Sequence, residues 1–276
     1  MKKINLLSLL VIMMAFVSSC SSDDEPKNLA AETTGRYTGY TLASCQYFSN
    51  MAASDQVVTI TSSEVNKVNI SYTSDTWGTM TIDGADLSGG AGSILIKGAG
   101  KSSMAHAGSA AKEYDCTVEG SLVGNDLSLT FSCPQVMGGL KIEFKQGDIP
   151  AEIVVPGTYS GYTEAKSTYF QGMMADDQQI VITKNTDDTY KVEYSSDTWG
   201  DFSVSAATVQ YADGKFTVSG KGTTEMGMNG NVKEYECSFE GTIDVAKENP
   251  TFTFSVPAVM GGLSIEFHTG KMPATE

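Results

Sequence analysis

The pentapeptide Ser74-Asp75-Thr76-Trp77-Gly78 returns unchanged as Ser196-Asp197-Thr198-Trp199-Gly200, and these two copies hold both tryptophans of the 276-residue chain. No other feature constrains the fold as strongly, because everything around the motif aligns at nearly the same offset. Gly35-Arg36-Tyr37-Thr38-Gly39-Tyr40 answers Gly157-Thr158-Tyr159-Ser160-Gly161-Tyr162, and Tyr47-Phe48 with Met51 answers Tyr169-Phe170 with Met173. Lys112-Glu113-Tyr114 with Cys116 answers Lys233-Glu234-Tyr235 with Cys237. Towards the end of each copy, Met137-Gly138-Gly139-Leu140 with Glu143-Phe144 answers Met260-Gly261-Gly262-Leu263 with Glu266-Phe267. One unit of about 120 residues is written twice. The chain therefore divides into a leader (1–19), a tether (20–34), a first domain (35–150) and a second (151–276).

Each unit is long enough to bury a core of ordinary size without staples. The formal charge is −15, becoming −17 without Lys2 and Lys3 of the leader, and no basic run occurs. The electrostatic footprint of a nucleic-acid or anionic-lipid surface is therefore missing, and no nucleic-acid partner is expected. Lys2-Lys3, the apolar run from Leu6 to Phe16 and the small-residue stretch Val17-Ser18-Ser19-Cys20 form a leader too short to span a membrane. The pattern resembles a bacterial lipoprotein signal, which implies a lipid on Cys20 and an outer-membrane location, cell-surface exposed or facing the periplasm. Membrane contact is then expected through that lipid alone. Ser21-Ser22-Asp23-Asp24-Glu25-Pro26 reads as a disordered acidic tether. It resembles the export signal of surface lipoproteins of Gram-negative gut anaerobes, and a plain solvated linker is the other reading.

Two-residue periodicity runs through both units, as in Val68-Asn69-Ile70-Ser71-Tyr72, Leu127-Ser128-Leu129-Thr130-Phe131 and Phe252-Thr253-Phe254. Eight short strands per unit are predicted, punctuated by Gly, Asn, Asp and Ser clusters. No stretch shows a helical stripe, and the proline-bracketed segment 149–156 reads as a stiff linker. Eight antiparallel strands with short connections suffice to close a barrel that is either filled or able to hold one small ligand at its mouth. The opening Gly-x-Tyr-x-Gly, the central Asp-Thr-Trp-Gly and the closing Met-Gly-Gly-x-x-x-Glu-Phe resemble those of the calycin-like, lipocalin-like β-barrel lipoproteins common in gut bacteria. The resemblance covers residues 35–147 and 157–270. It implies an all-β protein of two tandem eight-stranded antiparallel up-and-down barrels.

In that topology the connections after strands one, three, five and seven of each unit emerge at one rim. They bring Tyr47, Phe48, Met51, Asp75, Trp77, Met104, His106 and Met137 together in the first unit. In the second they bring Tyr169, Phe170, Met173, Asp197, Trp199, Met226, Met228 and Met260. Large apolar groups and adaptable methionines at a barrel mouth suit an irregular ligand or a partner surface. The tryptophans could equally be plugs that belong to the core. His106 reads as an exposed loop residue, or as an axial ligand to a metal-centred cofactor. Asp75 and Asp197 beside Trp read as turn caps.

Cys116 and Cys237 alternate with strand residues and read as small buried hydrophobes. Cys45 and Cys133 occur only in the first unit, the second having Ser167 and Val256, so Cys45–Cys133 is the expected disulfide. A turn over 120–125 would set Cys116 opposite residue 129 and out of reach of Cys133. No Ser/His/Asp, Cys/His or zinc-ligand spacing recurs between the units. The expectation is a non-enzymatic protein with no required cofactor and no protein-held metal. It would capture a small extracellular ligand, a corrinoid such as cobalamin by analogy with surface lipoproteins of this type, for an outer-membrane transporter. A glycan-binding or adhesive module using the Trp/Tyr rim and a structural spacer are the competing readings.

Overall fold

The computed structural model describes residues 28–90, 92–105, 109–228 and 231–274. The leader, Cys20, most of the acidic tether and His106 lie outside the described residues. The first unit runs α1 (Leu29–Thr33), β1 (Gly35–Ser44), β2 (Met51–Glu64), β3 (Lys67–Ser74), β4 (Gly78–Gly90), β5 (Ser93–Met104), β6 (Lys112–Val123), β7 (Asp126–Cys133) and β8 (Leu140–Gln146). The second runs α2 (Ala151–Val154), β9 (Gly157–Lys166), β10 (Met173–Lys184), β11 (Tyr190–Ser196), β12 (Gly200–Ala212), β13 (Lys215–Met228), β14 (Asn231–Asp244), β15 (Thr251–Val256) and β16 (Leu263–Thr269). Each set of eight strands pairs only with its sequence neighbours, and the last strand pairs with the first, giving two closed antiparallel meanders. Several strands run longer than their periodicity suggested. The stretch expected to be a loop after strand five continues as β5 to Met104 and, in the second unit, as β13 to Met228.

Alternation sends every second side chain inward, and the interiors are filled. Val68, Ile70 and Tyr72 of β3, with Leu127, Leu129 and Phe131 of β7, are buried in the first barrel. The second core is more aromatic, with Tyr194, Phe202, Phe239, Phe252, Phe254 and Phe267 packed ring on ring. One polar tie recurs inside both barrels. Tyr72 Oη donates to Gln56 Oε1 at 2.7 Å, and Tyr194 Oη to Gln178 Oε1 at 2.6 Å. Each glutamine follows an Asp in left-handed backbone, Asp55 (φ 57°) and Asp177 (φ 54°), where the ladder to the first strand shifts register. A bulge at this point re-aims the strand, which accounts for a polar group turned towards the interior.

Two short helices close the bases, where none was expected. In α1, Asn28 Oδ1 caps Ala31 N–H at 3.1 Å, and Leu29, Ala30 and Thr33 are buried against the first core. In the second unit the expected linker is a stopper: Ile149, Val154 and Val155 are buried in the second core. The tyrosine of Gly-x-Tyr-x-Gly fastens each one. Tyr37 Oη donates to the Thr33 carbonyl at 2.7 Å and Tyr159 Oη to the Val155 carbonyl at 2.8 Å. Tyr40, on the outer wall of the first barrel, is buried against the second cluster, with Leu42 and Ala52 packed beside it. Residues 29–33 thus pack on the first barrel, and residues 149–156 join the barrels by packing as well as by connectivity.

Candidate functional site at the mouth of the second barrel

The Ser-Asp-Thr-Trp-Gly turn is built the same way twice. Ser196 Oγ accepts the N–H groups of Thr198 (3.2 Å) and Trp199 (3.3 Å), as Ser74 Oγ does for Thr76 (3.2 Å) and Trp77 (3.3 Å). Serine, not the expected aspartate, caps the turn, which leaves Asp75 and Asp197 exposed. The glycine is required on two grounds. Gly200 has φ +87°, and a Cβ there would lie 2.2 Å from the Glu225 carbonyl oxygen; Gly78 has φ +72° and meets Ser103 O at the same distance. The turn is thereby pressed against the neighbouring strand, and the tryptophan before the glycine is directed into the barrel.

Both tryptophans close the mouths from within. Each is 6% exposed, and each stacks on the phenylalanine of the first loop, Phe48–Trp77 at 5.6 Å and Phe170–Trp199 at 6.1 Å between ring centroids. Trp199 Nε1 also donates to Thr163 Oγ1 at 3.0 Å, whereas among the described residues the matching Thr41 Oγ1 takes no such hydrogen bond from Trp77. Burial pushes the Tyr194 phenol up, with Ser196 and Thr163 opposing, so it stays a neutral hydroxyl under this lid. Of the two readings of Trp77 and Trp199, the plug is the one the structure adopts.

Above the second lid lies a cleft of about 740 Å³. Its floor and walls come from Trp199, Met226, Tyr235, Val259, Met260 and Leu263, and its lip from Asp197, Asp201, Glu225 and Lys233. The β13–β14 hairpin, paired out to Met228–Asn231, forms the tall side. A cleft of about 420 Å³ behind the turn shares Ser195, Ser196, Asp197 and Thr198 with it, so the aspartate turn stands between two hollows. Met260 sits in left-handed backbone (φ 50°), as does Met137 (φ 47°), and both side chains are exposed at their rims. An unbranched side chain held in that strained region is a placed feature of the rim.

The residues singled out from the sequence divide accordingly. Asp197, Trp199, Met226 and Met260 line the cleft. Phe170 lies under it as the stacking partner of Trp199, while Tyr169 (78% exposed) and Met173 project from the rim. Met228 ends β13 at the hairpin tip. In the first unit Phe48 and Trp77 pack together, Met104 is half-buried on the core, and Tyr47 (75% exposed), Met51 and Met137 stand in solvent. Asp201, Glu225, Lys233 and Tyr235 escaped notice, because they sit on strands that extend above the barrel. The repeated Lys-Glu-Tyr of strand six was the signal that could have found two of them. The expected Cys45–Cys133 bridge is not formed: both are free thiols, and the sulfur that Cys133 meets belongs to Cys116. The β6–β7 turn is only Gly124-Asn125, which brings Cys116, and not a position near residue 112, opposite Cys133.

Two filled, eight-stranded, up-and-down barrels, each lidded by a tryptophan beneath a loop-built mouth, define a lipocalin-type architecture. The chain belongs to the Calycin-like beta-barrel domain family, which matches residues 33–146 and 155–270. Such barrels are typically binding and carrier folds. Among solved structures, a Bacteroides fragilis protein provisionally described as an outer membrane protein is 26% identical, with a TM-score of 0.56 over 88% of this chain and all of that one. A likeness of that extent runs through both barrels. A Nostoc punctiforme protein of unknown function aligns over 88% of this chain and 97% of its own, but at 8% identity and a TM-score of 0.24. No curated protein matches the chain.

Proposed function

We propose that this protein captures a small amphipathic ligand from outside the cell at the mouth of its second barrel. The observation that carries this reading is the cleft of about 740 Å³, with one apolar wall of Met226, Tyr235, Val259 and Met260 and one carboxylate lip. Its size falls within the usual range of ligand sites, about 300–1,000 Å³. A corrinoid is the specific ligand we favour, because its flat ring offers apolar contact while its fringe of amides offers N–H donors to Asp197, Asp201 and Glu225. The glycan alternative loses its strongest support with the tryptophan faces covered, and rests on the exposed rings of Tyr47 and Tyr169. Titration with cobalamin and with soluble glycans, read by tryptophan fluorescence and calorimetry, decides between them. Met226→Ala, Tyr235→Ala and Met260→Ala together should weaken cobalamin binding by about 10–100-fold, measured at a temperature where calorimetry shows the second barrel still folded. Unchanged affinity in that triple variant, or saturable binding of glycans alone, overturns the reading.

The capture proposal includes a lipid on Cys20 as the anchor and an outer-membrane transporter as the recipient. The leader pattern ending at Cys20 supports the first, and the B. fragilis relative's description supports the membrane. Cys20→Ala should move the protein from the membrane fraction to the soluble fraction with both barrels folded. Membrane association that survives the change removes the anchor from the proposal. Protease treatment of intact cells separates surface display from a periplasmic orientation.

A further inference from the structure

The strand pairing of the first barrel brings two cysteines face to face. In the β6–β7 ladder Val118 lies opposite Phe131 and Thr117 opposite Ser132, so one step nearer the mouth Cys116 faces Cys133. Both side chains point inward and each is 1% exposed. Opposed residues of an antiparallel pair hold their Cα atoms about 4.5–5.5 Å apart, inside the separation of about 4.4–6.8 Å that a disulfide spans. Cys116 Sγ donates to the Thr117 carbonyl at 3.6 Å, and the two thiols lie close enough to push each other's ionisation apart, Cys116 up and Cys133 down. Ser102, whose buried hydroxyl has no ordinary hydrogen-bond partner, faces the Cys133 sulfur. In the second barrel the same two places hold Cys237 and Val256, so the arrangement belongs to the first unit alone.

We propose that Cys116 and Cys133 form a cross-strand disulfide when the chain folds in an oxidising compartment. The oxidant is a carrier disulfide, of a small molecule or of a thiol–disulfide exchange protein. The attacking sulfur is the one ionised while still open to the carrier, and Cys133, the last residue of β7, is placed to be that sulfur. Its thiolate displaces one carrier thiol and forms a mixed disulfide. Cys116 then gives up its proton and attacks the Cys133 sulfur, releasing the second carrier thiol. Two protein thiols and one carrier disulfide become one protein disulfide and two carrier thiols. Because both sulfurs are enclosed in the finished barrel, exchange takes place before β7 closes or during an opening of it. The bond fixes the mouth end of β7, and with it the Met137 loop, to β6.

The test is a cysteine map of the full chain exported to the periplasm and of the same chain refolded in a glutathione redox buffer. Free thiols are alkylated in denaturant without reductant. Trypsin leaves both cysteines within residues 113–141, so a second cleavage after Glu119 is needed to read the linkage. The expected result is a Cys116–Cys133 cross-linked pair two hydrogens lighter than the separate peptides, with Cys237 alkylated. Reduction should lower the Tm of the first barrel by several degrees, and this sensitivity should vanish in both Cys116→Ser and Cys133→Ser. Alkylation of both cysteines after refolding in the redox buffer, or a Cys45–Cys133 linkage, overturns the proposal. The wild-type map decides the matter even where a serine variant fails to fold.

Discussion

Replacing Trp199 by alanine should lower the stability of the second barrel by about 3–5 kcal/mol, the usual cost of truncating a buried tryptophan. The ring is almost wholly enclosed, stacks on Phe170 and donates to Thr163, so its removal opens a void and leaves a buried hydroxyl without its donor. Trp77→Ala should fall at the lower end of that range, because no hydrogen bond to Thr41 is lost with it. Calorimetry follows the two barrels as separate transitions, and the fluorescence of the remaining tryptophan identifies the transition of the unaltered barrel. A barrel of this size should then melt on the order of 10–20 °C lower. An unchanged midpoint would mean that the ring stands in solvent, and would make it a direct ligand contact instead of a lid.

Val154→Asp should be comparably severe, and it separates a stopper from a linker. Val154 is fully buried beneath the second core. The basic groups along this edge are already engaged, Lys247 with the Pro156 carbonyl at 3.0 Å and Lys184 with Glu152 of the same helix. An unpaired carboxylate at such a place costs about 3–5 kcal/mol. The folded state would raise the pKa of the new carboxyl above its unfolded value. The penalty should accordingly shrink in acid, where the group is neutral in both states, and grow as the pH rises through the folded value. Calorimetry should show the second barrel melting early while the first is unaffected. If residues 149–156 only connect the barrels, the change should stay within about 0.5 kcal/mol, as exposed substitutions usually do.

What the sequence disclosed and what it concealed follow from the range of the forces involved. Strand alternation is local, and the duplicated motifs state it twice, so sixteen strands and two barrels were legible. The stoppers were not. Leu29-Ala30-Ala31-Glu32-Thr33 and Ala151-Glu152-Ile153-Val154-Val155 share no residue at matched positions, and each is too short to show a helical stripe. Their only common signal is the tyrosine that holds them, which lies several residues downstream. The misplaced register at the cysteines has a different origin. Taking the turn as six residues instead of the two at Gly124-Asn125 slid β6 against β7 and moved Cys133 away from its true neighbour. At the mouth, strand parity placed these residues together at one end of each barrel. It could not say that tryptophan turns inward while the adjoining tyrosine turns outward, because that depends on the serine cap and the positive-φ glycine acting together.

The stoppers have a consequence for how such a protein can grow. An even number of strands returns the chain to the end from which it set out, so both α1 and the exit of β8 lie at the base of the first barrel. The helix that seals the next base is also the join. Each repeat is thus a cassette, stopper first and meander after, strung like a bead whose thread never passes over an opening. Copies could be gained or lost by duplication of one gene segment without re-routing the chain. The openings, freed from carrying connections, are the part of each copy that can diverge, and the paired thiols in one bead and the acidic-lipped cleft in the other record such divergence.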